Sequence, residues 1–183
     1  MTLRTRVSGV DHELRHTAAA GENRVEWTVE VPDPDLWWPH ALGDQPLHDL
    51  VCSVEAQGMV HDQRARRVGF RSIALDRWTV VVNGERLFSK GVAVLPNPPQ
   101  PDDAGGRQAE ADVRTARALG FDLVRTVAHV PHPRLYDAAD EAGMLVWQDM
   151  PLRGVMARSV RTQAVRQARE LVDLLGHHPS VAV

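Results

Sequence analysis

Residues 120–149, GFDLVRTVAHVPHPRLYDAADEAGMLVWQD, decide the fold of this chain. The stretch opens with a largely apolar run, 121–127, and closes with another, 144–147. Such runs are typical of parallel strands, because helices cover both faces of a parallel sheet. Between the runs, apolar residues recur at helical spacing, Pro133 suits a first helical turn, and Gly143 is placed to end the helix. The stretch therefore predicts a parallel strand–helix–strand unit.

The rest of the second half repeats this alternation. Residues 91–95 indicate a buried strand, and helices are predicted over about 108–119 and 158–175. The closing residues, 177–183 (HHPSVAV), predict a turn and the start of a further strand. The pattern amounts to about three and a half βα units, whereas a closed barrel of eight units needs about 250 residues.

The first half has a different period. Apolar residues alternate with polar ones over 25–31, 50–56 and 78–82, which predicts strands with one buried and one solvated face. Asn83-Gly84 is a strong hairpin signal, because both residues tolerate the positive φ angles of a type I′ turn. Several short strands with turn signals and no helical period predict an antiparallel β-sandwich.

Composition argues against several kinds of partner. The chain has 183 residues and a formal net charge of −3, so no overall positive field attracts nucleic acid or anionic lipid. No apolar stretch approaches the roughly 18 residues of a membrane span, and the first residues lack a signal peptide's apolar region. The single cysteine, Cys52, excludes an internal disulfide and is expected to be a buried free thiol. We expect a cytoplasmic protein with no cofactor, no nucleic-acid partner and no membrane partner.

Several motifs occur in a fixed order along the chain: 36–40 (LWWPH), 43–47 (GDQPL), 69–73 (GFRSI), 87–92 (LFSKGV), 120–125 (GFDLVR), 135–149 (LYDAADEAGMLVWQD) and 177–183 (HHPSVAV). This order resembles glycoside hydrolase family 2, closest to its β-mannosidase-like branch. The resemblance implies an immunoglobulin-like β-sandwich over residues 1–76. It implies that residues 77–183 form the amino-terminal part of a (β/α)8 barrel, with about three and a half βα units.

The same resemblance implies a retaining glycosidase that hydrolyses terminal β-glycosidic bonds, with β-mannosides preferred. Two glutamates whose carboxyl groups lie about 5–5.5 Å apart perform that reaction: one attacks the anomeric carbon while the other protonates the leaving oxygen. We expect both glutamates to lie beyond Val183, so that this polypeptide alone is inactive. The expected partner is a carbohydrate substrate, and uncovered barrel edges are expected to favour self-association.

Three residues are candidates for substrate binding. Arg125 ends a predicted buried strand, where a guanidinium needs a carboxylate or a cleft, and in the family an arginine here orients the nucleophile. His129, in the following loop, could hydrogen-bond a sugar hydroxyl or act as a loop or capping residue. Asp149 could accept hydrogen bonds from sugar hydroxyls, cap a turn or pair with an arginine. Trp147 continues an apolar run and is expected in the core.

Two further clusters are expected to carry no chemistry. Four histidines do not share one helix face, so we expect no metal site among His129, His132, His177 and His178. A basic run is interpreted as a solvated strand edge, formed by Arg64, Arg66, Arg67 and Arg71.

Other functions stay open at this point. The missing glutamate pair suggests a non-catalytic remnant that acts as a binding or interaction module. A β-galactosidase-type or β-glucuronidase-type specificity is a second alternative. A third is an unrelated open-sheet α/β protein that binds a ligand at its strand ends.

Overall fold

The computed structural model describes residues 1–96, 102–154 and 157–182. Two compact units are present: Met1–Asp35 with Leu47–Val68, and Leu36–Pro46 with Gly69–Val183. The domain boundary between residues 76 and 77 stays a prediction. Val183, the last residue of the predicted final strand, lies outside the described residues.

Ten strands and three α-helices are assigned within the described ranges. The strands are β1 (Thr2–Val7), β2 (Val10–Arg15), β3 (His48–Ala56), β4 (Met59–Val68), β5 (Ile73–Asp76), β6 (Thr79–Val82), β7 (Glu85–Leu87), β8 (Gly91–Val94), β9 (Leu123–Thr126) and β10 (Leu145–Gln148). The helices are α1 (Asp102–Ala118), α2 (Arg134–Ala142) and α3 (Arg161–Leu175), the last preceded by a 3₁₀ turn over Arg158–Val160. None of these helices has the length and apolar character to span a bilayer.

The first unit contains a four-stranded antiparallel sheet in the order β2-β1-β3-β4. Strand β1 alternates as a half-buried strand does, with Leu3, Thr5 and Val7 buried and Arg4 exposed. The predicted strand at 50–56 is confirmed as β3. Strand β1 therefore has one covered and one solvated side, whereas the edge strand β4 is exposed along nearly its whole length.

The strand predicted over residues 25–31 is wrong. These residues keep alternating burial, but the structure assigns them no strand pairing. Trp27 instead donates a hydrogen bond from Nε1 to Thr5 Oγ1 at 3.1 Å, on the covered face of β1. Alternation of apolar and polar residues in sequence indicates which side chains are buried. It does not require that the backbone pair with a neighbouring strand.

The second unit begins with a three-stranded antiparallel sheet in the order β5-β6-β7. The predicted hairpin is confirmed, because Asn83 and Gly84 join β6 to β7 with φ angles of 49° and 89°. Trp78 was predicted to begin a strand. It lies instead in the β5–β6 turn beside Arg77, with a φ of 69° and 92% of its surface exposed.

The remaining strands form a parallel sheet in the order β10-β9-β8, which confirms the predicted parallel βα units. Register aligns Val92, Val124 and Val146 in one row across the sheet. An isolated parallel bridge between Val146 and Val181 extends the row. Strands that follow one another in sequence are therefore neighbours in space.

Helices α1 and α2 cover one face of this sheet. The buried cluster formed by the helices and the sheet consists of Ala109, Val113, Ala116, Val124, Leu135, Tyr136, Ala139, Met144, Val146 and Leu175. Gly143 ends α2 as predicted, with a φ of 67°. A Cβ atom there would also lie 2.6 Å from the His40 nitrogen. Glycine is thus required both by the backbone angle and by the close approach.

Helix α1 begins at Asp102 rather than near Gln108. The sequence obscured this start because Gly105 and Gly106 are poor helix formers. In the structure a Cβ on Gly106 would lie 2.8 Å from Arg134 Cδ. Close packing between α1 and the start of α2 therefore uses a residue that local propensity disfavours.

We expect Leu135→Ala to lower the free energy of unfolding by about 2–5 kcal/mol, because Leu135 is fully buried and its removal leaves a cavity. Leu174→Ala is the matched control, since Leu174 is 57% exposed and an exposed substitution changes stability by about 0.5 kcal/mol or less. Urea denaturation followed by circular dichroism measures both. Equal losses in the two variants would contradict the assigned core.

Candidate functional site

Arg125 and Asp149 meet at the carboxyl ends of adjacent parallel strands. Arg125 lies in β9, and Asp149 directly follows β10. The guanidinium donates from Nε to Oδ1 at 3.0 Å and from Nη2 to Oδ2 at 2.9 Å. This bidentate pair is the geometry that an arginine fork and a carboxylate favour. Two of the three predicted site residues are therefore in direct contact.

The pair sets the charge of Asp149. Hydrogen bonding from Arg125 holds the pKa of the Asp149 carboxyl below its ordinary value, against partial burial, which acts to raise it. The same hydrogen bond raises the pKa of Arg125. The carboxyl group is therefore ionised at neutral pH. Its side chain is 16% exposed and that of Arg125 is 49% exposed, so both remain within reach of a ligand.

Trp147 lies beside this pair, and its predicted place in the core is wrong. Register pairs Ala93 with Arg125, and Arg125 with Trp147, on the sheet face opposite the helix-covered row. Trp147 is 41% exposed, and Arg125 Cζ lies 5.3 Å from its ring centroid. An apolar neighbourhood in sequence does not place a residue inside, because alternate residues of a strand face opposite sides. The exposed face thus carries a cation, a carboxylate and an aromatic ring.

Gln148 supports the site from the buried face, and the sequence analysis missed it. Its Oε1 accepts hydrogen bonds from Thr126 Oγ1 at 2.8 Å and from the Tyr136 hydroxyl. Its Nε2 donates to the carbonyls of His129 at 2.8 Å and Asp149 at 2.7 Å. Gln148 is 9% exposed and uses both ends of its amide. The only sequence signal was a polar residue directly after the apolar run 144–147, next to the candidate Asp149.

The backbone carbonyl of His129, which accepts a hydrogen bond from Gln148, holds this residue near the site. The ring Nδ1 lies 3.2 Å from the Val127 carbonyl. His129 also lines a groove of about 180 Å³ between the end of β8, α1 and residues 129–132. Within the described residues, no hydrogen bond or ion pair joins the His129 ring to Arg125 or Asp149.

A second polar cluster surrounds Asp140. Its Oδ2 lies 2.6 Å from His178 Nδ1, and its Oδ1 accepts a hydrogen bond from the Ser180 backbone at 3.0 Å. Asp137, Asp140 and His178 offer three possible metal-ligand atoms within 4.8 Å of one another. The hydrogen bonds already account for both Asp140 oxygens. Arg71, whose charge interacts with Asp140, makes the neighbourhood less favourable for a cation.

Arg71 itself was misassigned from sequence. The other three arginines of the basic run, Arg64, Arg66 and Arg67, lie on the exposed strand β4 as predicted. Arg71 instead is partly buried and donates hydrogen bonds to the Pro179 and Val181 carbonyls. Charge patterning in sequence could not separate it from its exposed neighbours.

A larger hollow, of about 570 Å³, lies on the solvated face of the first sheet. The charges that line it are paired with one another, as in Arg4 with Glu13 at 2.6 Å and Arg6 with Asp11 at 2.7 Å. A face of mutually paired, exposed side chains is the expected exterior of a half-buried sheet. The strand-end cluster is therefore the stronger candidate site.

Comparison with known proteins agrees with the motifs. Residues 3–71 match the model of the family glycosyl hydrolases family 2. The resemblance to this family is confirmed. Beta-mannosidase A from Aspergillus niger is 29% identical over 199 residues, which cover 93% of this chain and 21% of the relative. The chain thus spans about a fifth of the length of the curated relatives that it matches.

Solved structures agree on the fold. The β-D-mannosidase of Dictyoglomus thermophilum matches 98% of this chain with a TM-score of 0.81 and 22% identity, over 24% of its own chain. The exo-chitosanase CsxA of Amycolatopsis orientalis also matches 98%, with a TM-score of 0.82 and 22% identity, over 23% of its own chain. At these identities the likeness shows a shared fold.

We expect Arg125→Met to raise the pKa of Asp149, because the substitution removes the hydrogen bonds that favour the ionised carboxyl. In the wild-type chain the folded-state pKa is depressed. The stabilisation from this pair is therefore present above about pH 4 and lost as pH falls through the folded-state pKa. Carbon NMR titration of the Asp149 carboxyl measures the shift. Arg86→Met, which removes a different exposed ion pair, should leave that titration unchanged.

We expect Gln148→Leu to lower the free energy of unfolding by about 1–3 kcal/mol, because it leaves buried hydroxyl and carbonyl groups without their partner. Amides of the loop from 127 to 132 should also exchange faster with solvent. Gln108→Leu is the control, since Gln108 is exposed on α1. Denaturation and amide hydrogen exchange measure the effects. An unchanged loop in Gln148→Leu would argue against the supporting role.

Proposed function

We propose that this chain is part of a family 2 glycosidase that hydrolyses terminal β-mannosides. In this proposal residues 1–76 form an immunoglobulin-like sandwich, and residues 77–183 form the amino-terminal part of a (β/α)8 barrel. The support is the combination of the family match over 3–71, the similarity to β-mannosidase A and the sequential order of the parallel strands. In barrels of this type the chemistry sits at the carboxyl ends of the strands.

The observation that carries the proposal is the Arg125–Asp149 pair at that end of the sheet. An ionised carboxylate can accept hydrogen bonds from two neighbouring sugar hydroxyls, while the guanidinium donates to a ring or hydroxyl oxygen. The exposed Trp147 ring beside them offers an apolar surface to the carbon–hydrogen face of a sugar. We assign Arg125 and Asp149 to direct substrate contacts, and His129 to a further hydroxyl contact from the adjoining loop.

Bond cleavage is not assigned to any residue of this polypeptide. In the described parts of the parallel sheet, the strand ends carry an arginine and an aspartate that neutralise each other, and no glutamate. Glu110 and Glu141 lie on helices α1 and α2 instead. A retaining mechanism needs two carboxyl groups about 5–5.5 Å apart across the sugar. We therefore propose that the 183-residue polypeptide binds the sugar and does not hydrolyse it.

Sugar binding can be tested by titrating the ¹⁵N-labelled 183-residue polypeptide with methyl β-mannoside. We expect shifts of the Arg125 and Asp149 amides and of the Trp147 indole. Asp149→Asn should weaken binding about tenfold, because charge-assisted hydrogen bonds to the sugar are lost. Asp173→Asn, which changes an exposed carboxyl on α3, is the matched control. Shifts confined to other surfaces would overturn the assignment.

Catalytic competence has a separate test. The purified polypeptide, incubated with nitrophenyl β-mannoside, β-galactoside and β-glucuronide, should release nitrophenol no faster than buffer without protein does. Turnover above buffer would contradict the proposed division between binding and cleavage, and the preferred sugar would then correct the specificity. Absence of both binding and turnover would favour the non-catalytic interaction module.

A further inference from the structure

Arg71 joins two parts of the second unit that are far apart in sequence. It follows Gly69 and Phe70, before β5, yet its side chain reaches the closing residues of the chain. Nε donates to the Pro179 carbonyl at 3.0 Å, and Nη2 donates to the Val181 carbonyl at 2.6 Å. One planar guanidinium therefore holds two carbonyls that lie two residues apart in the closing segment.

The opposite side of this closing segment is held by α2. One carboxylate oxygen of Asp140 forms a hydrogen bond with His178 Nδ1, and the other accepts a hydrogen bond from the Ser180 amide. His178 is 7% exposed and Ser180 is fully buried. Two charged groups thus hold the closing segment from opposite sides: Arg71, which precedes the parallel sheet in sequence, and Asp140, on the helix between β9 and β10.

These contacts coincide with the place where the segment joins the parallel sheet. The Val146 amide donates to the Ser180 carbonyl at 2.8 Å, and the Ala182 amide donates to the Val146 carbonyl at 3.0 Å. The two bonds are the parallel bridge that adds Val181 beside β10. A slip of one residue would turn Val181 to the other face of the sheet.

The packing around Arg71 leaves little room for another arrangement. A Cβ on Gly69 would lie 2.7 Å from the Pro179 ring and 2.9 Å from Trp37 Cβ. Trp37 is fully buried and donates from Nε1 to the Asp140 carbonyl at 2.8 Å. Burial lowers the pKa of Arg71, and the charge of Asp140 opposes that effect. The charge is thus kept in a tight site where carbonyl oxygens replace water.

We propose that Arg71 is a positioning residue that sets the register of residues 179–182 against β10. The link to catalysis rests on the proposed function. By the family resemblance, the general acid/base follows this segment by a few residues, so its register fixes where that carboxyl group emerges. Arg71 acts through the backbone of the segment and makes no contact with substrate in this assignment.

The test is amide hydrogen exchange by NMR in the 183-residue polypeptide. Neighbouring amides separate local from global effects, because Val146 bonds to Ser180 whereas Leu145 bonds to Asp122 at 2.9 Å. In Arg71→Met we expect the Val146 and Ala182 amides to exchange about tenfold faster, with a much smaller change at Leu145. Arg71→Lys should recover part of the protection, because an ammonium keeps the charge but not the planar fork.

Arg86→Met serves as the matched control. It removes an exposed arginine of the same unit, and we expect unchanged exchange at all three amides. Equal acceleration at Leu145, Val146 and Ala182 in Arg71→Met would show a role in global stability only and would overturn the proposal, as would unchanged exchange. If Arg71→Met does not fold, the same comparison of amides in Arg71→Lys decides.

The exchange experiment does not depend on sugar. Failure of methyl β-mannoside to bind the wild-type chain would remove the proposed function while leaving the register assignment intact. Sugar binding with unchanged exchange in Arg71→Met would do the reverse.

Discussion

The alternation of side chains across the parallel sheet is the constraint on which the rest of the second unit depends. Register places Val92, Val124 and Val146 in one row under the helices, and Ala93, Arg125 and Trp147 in the adjacent row on the other face. Burying the valine row commits every neighbouring position to the opposite face. The polar and aromatic residues of the candidate site are therefore exposed as a consequence of how the core packs.

Buried polar groups then fix the ends of these strands. Gln148 and Asp140 are both buried, and each uses both ends of its side chain in hydrogen bonds within the second unit. A buried amide or carboxylate is costly to leave unpaired, so each network favours one arrangement of the loops that it joins. Gln148 ties the loop containing His129 to the strand end at Asp149, and Asp140 ties α2 to the closing segment. Buried polar contacts on the helix-covered side of the sheet thus support the candidate site on its other face.

Local chemistry made some elements predictable and misled at others. The Asn83-Gly84 hairpin and the Gly143 helix end were predicted because both depend on backbone angles that few residues tolerate. Residues 25–31 alternate like a strand but form no backbone pairing with a neighbouring strand, because alternating side chains can be buried without such pairing. The start of α1 was missed because close packing at Gly106 overrides a poor local propensity.

The sequence by itself determined the alternation of strands and helices in the second half and its parallel character, which follow from residue type and period, both local properties. Arg125 and Asp149 became candidates through their residue types together with the family resemblance. Only the tertiary structure decided that the two form a bidentate pair, that Trp147 faces outward and that Gln148 and Arg71 hold distant backbone. The physical reason is that a hydrogen-bond partner many residues away leaves no periodic trace in the chain. Arg71 and its exposed neighbours are the same residue type in sequence, and burial alone distinguishes them.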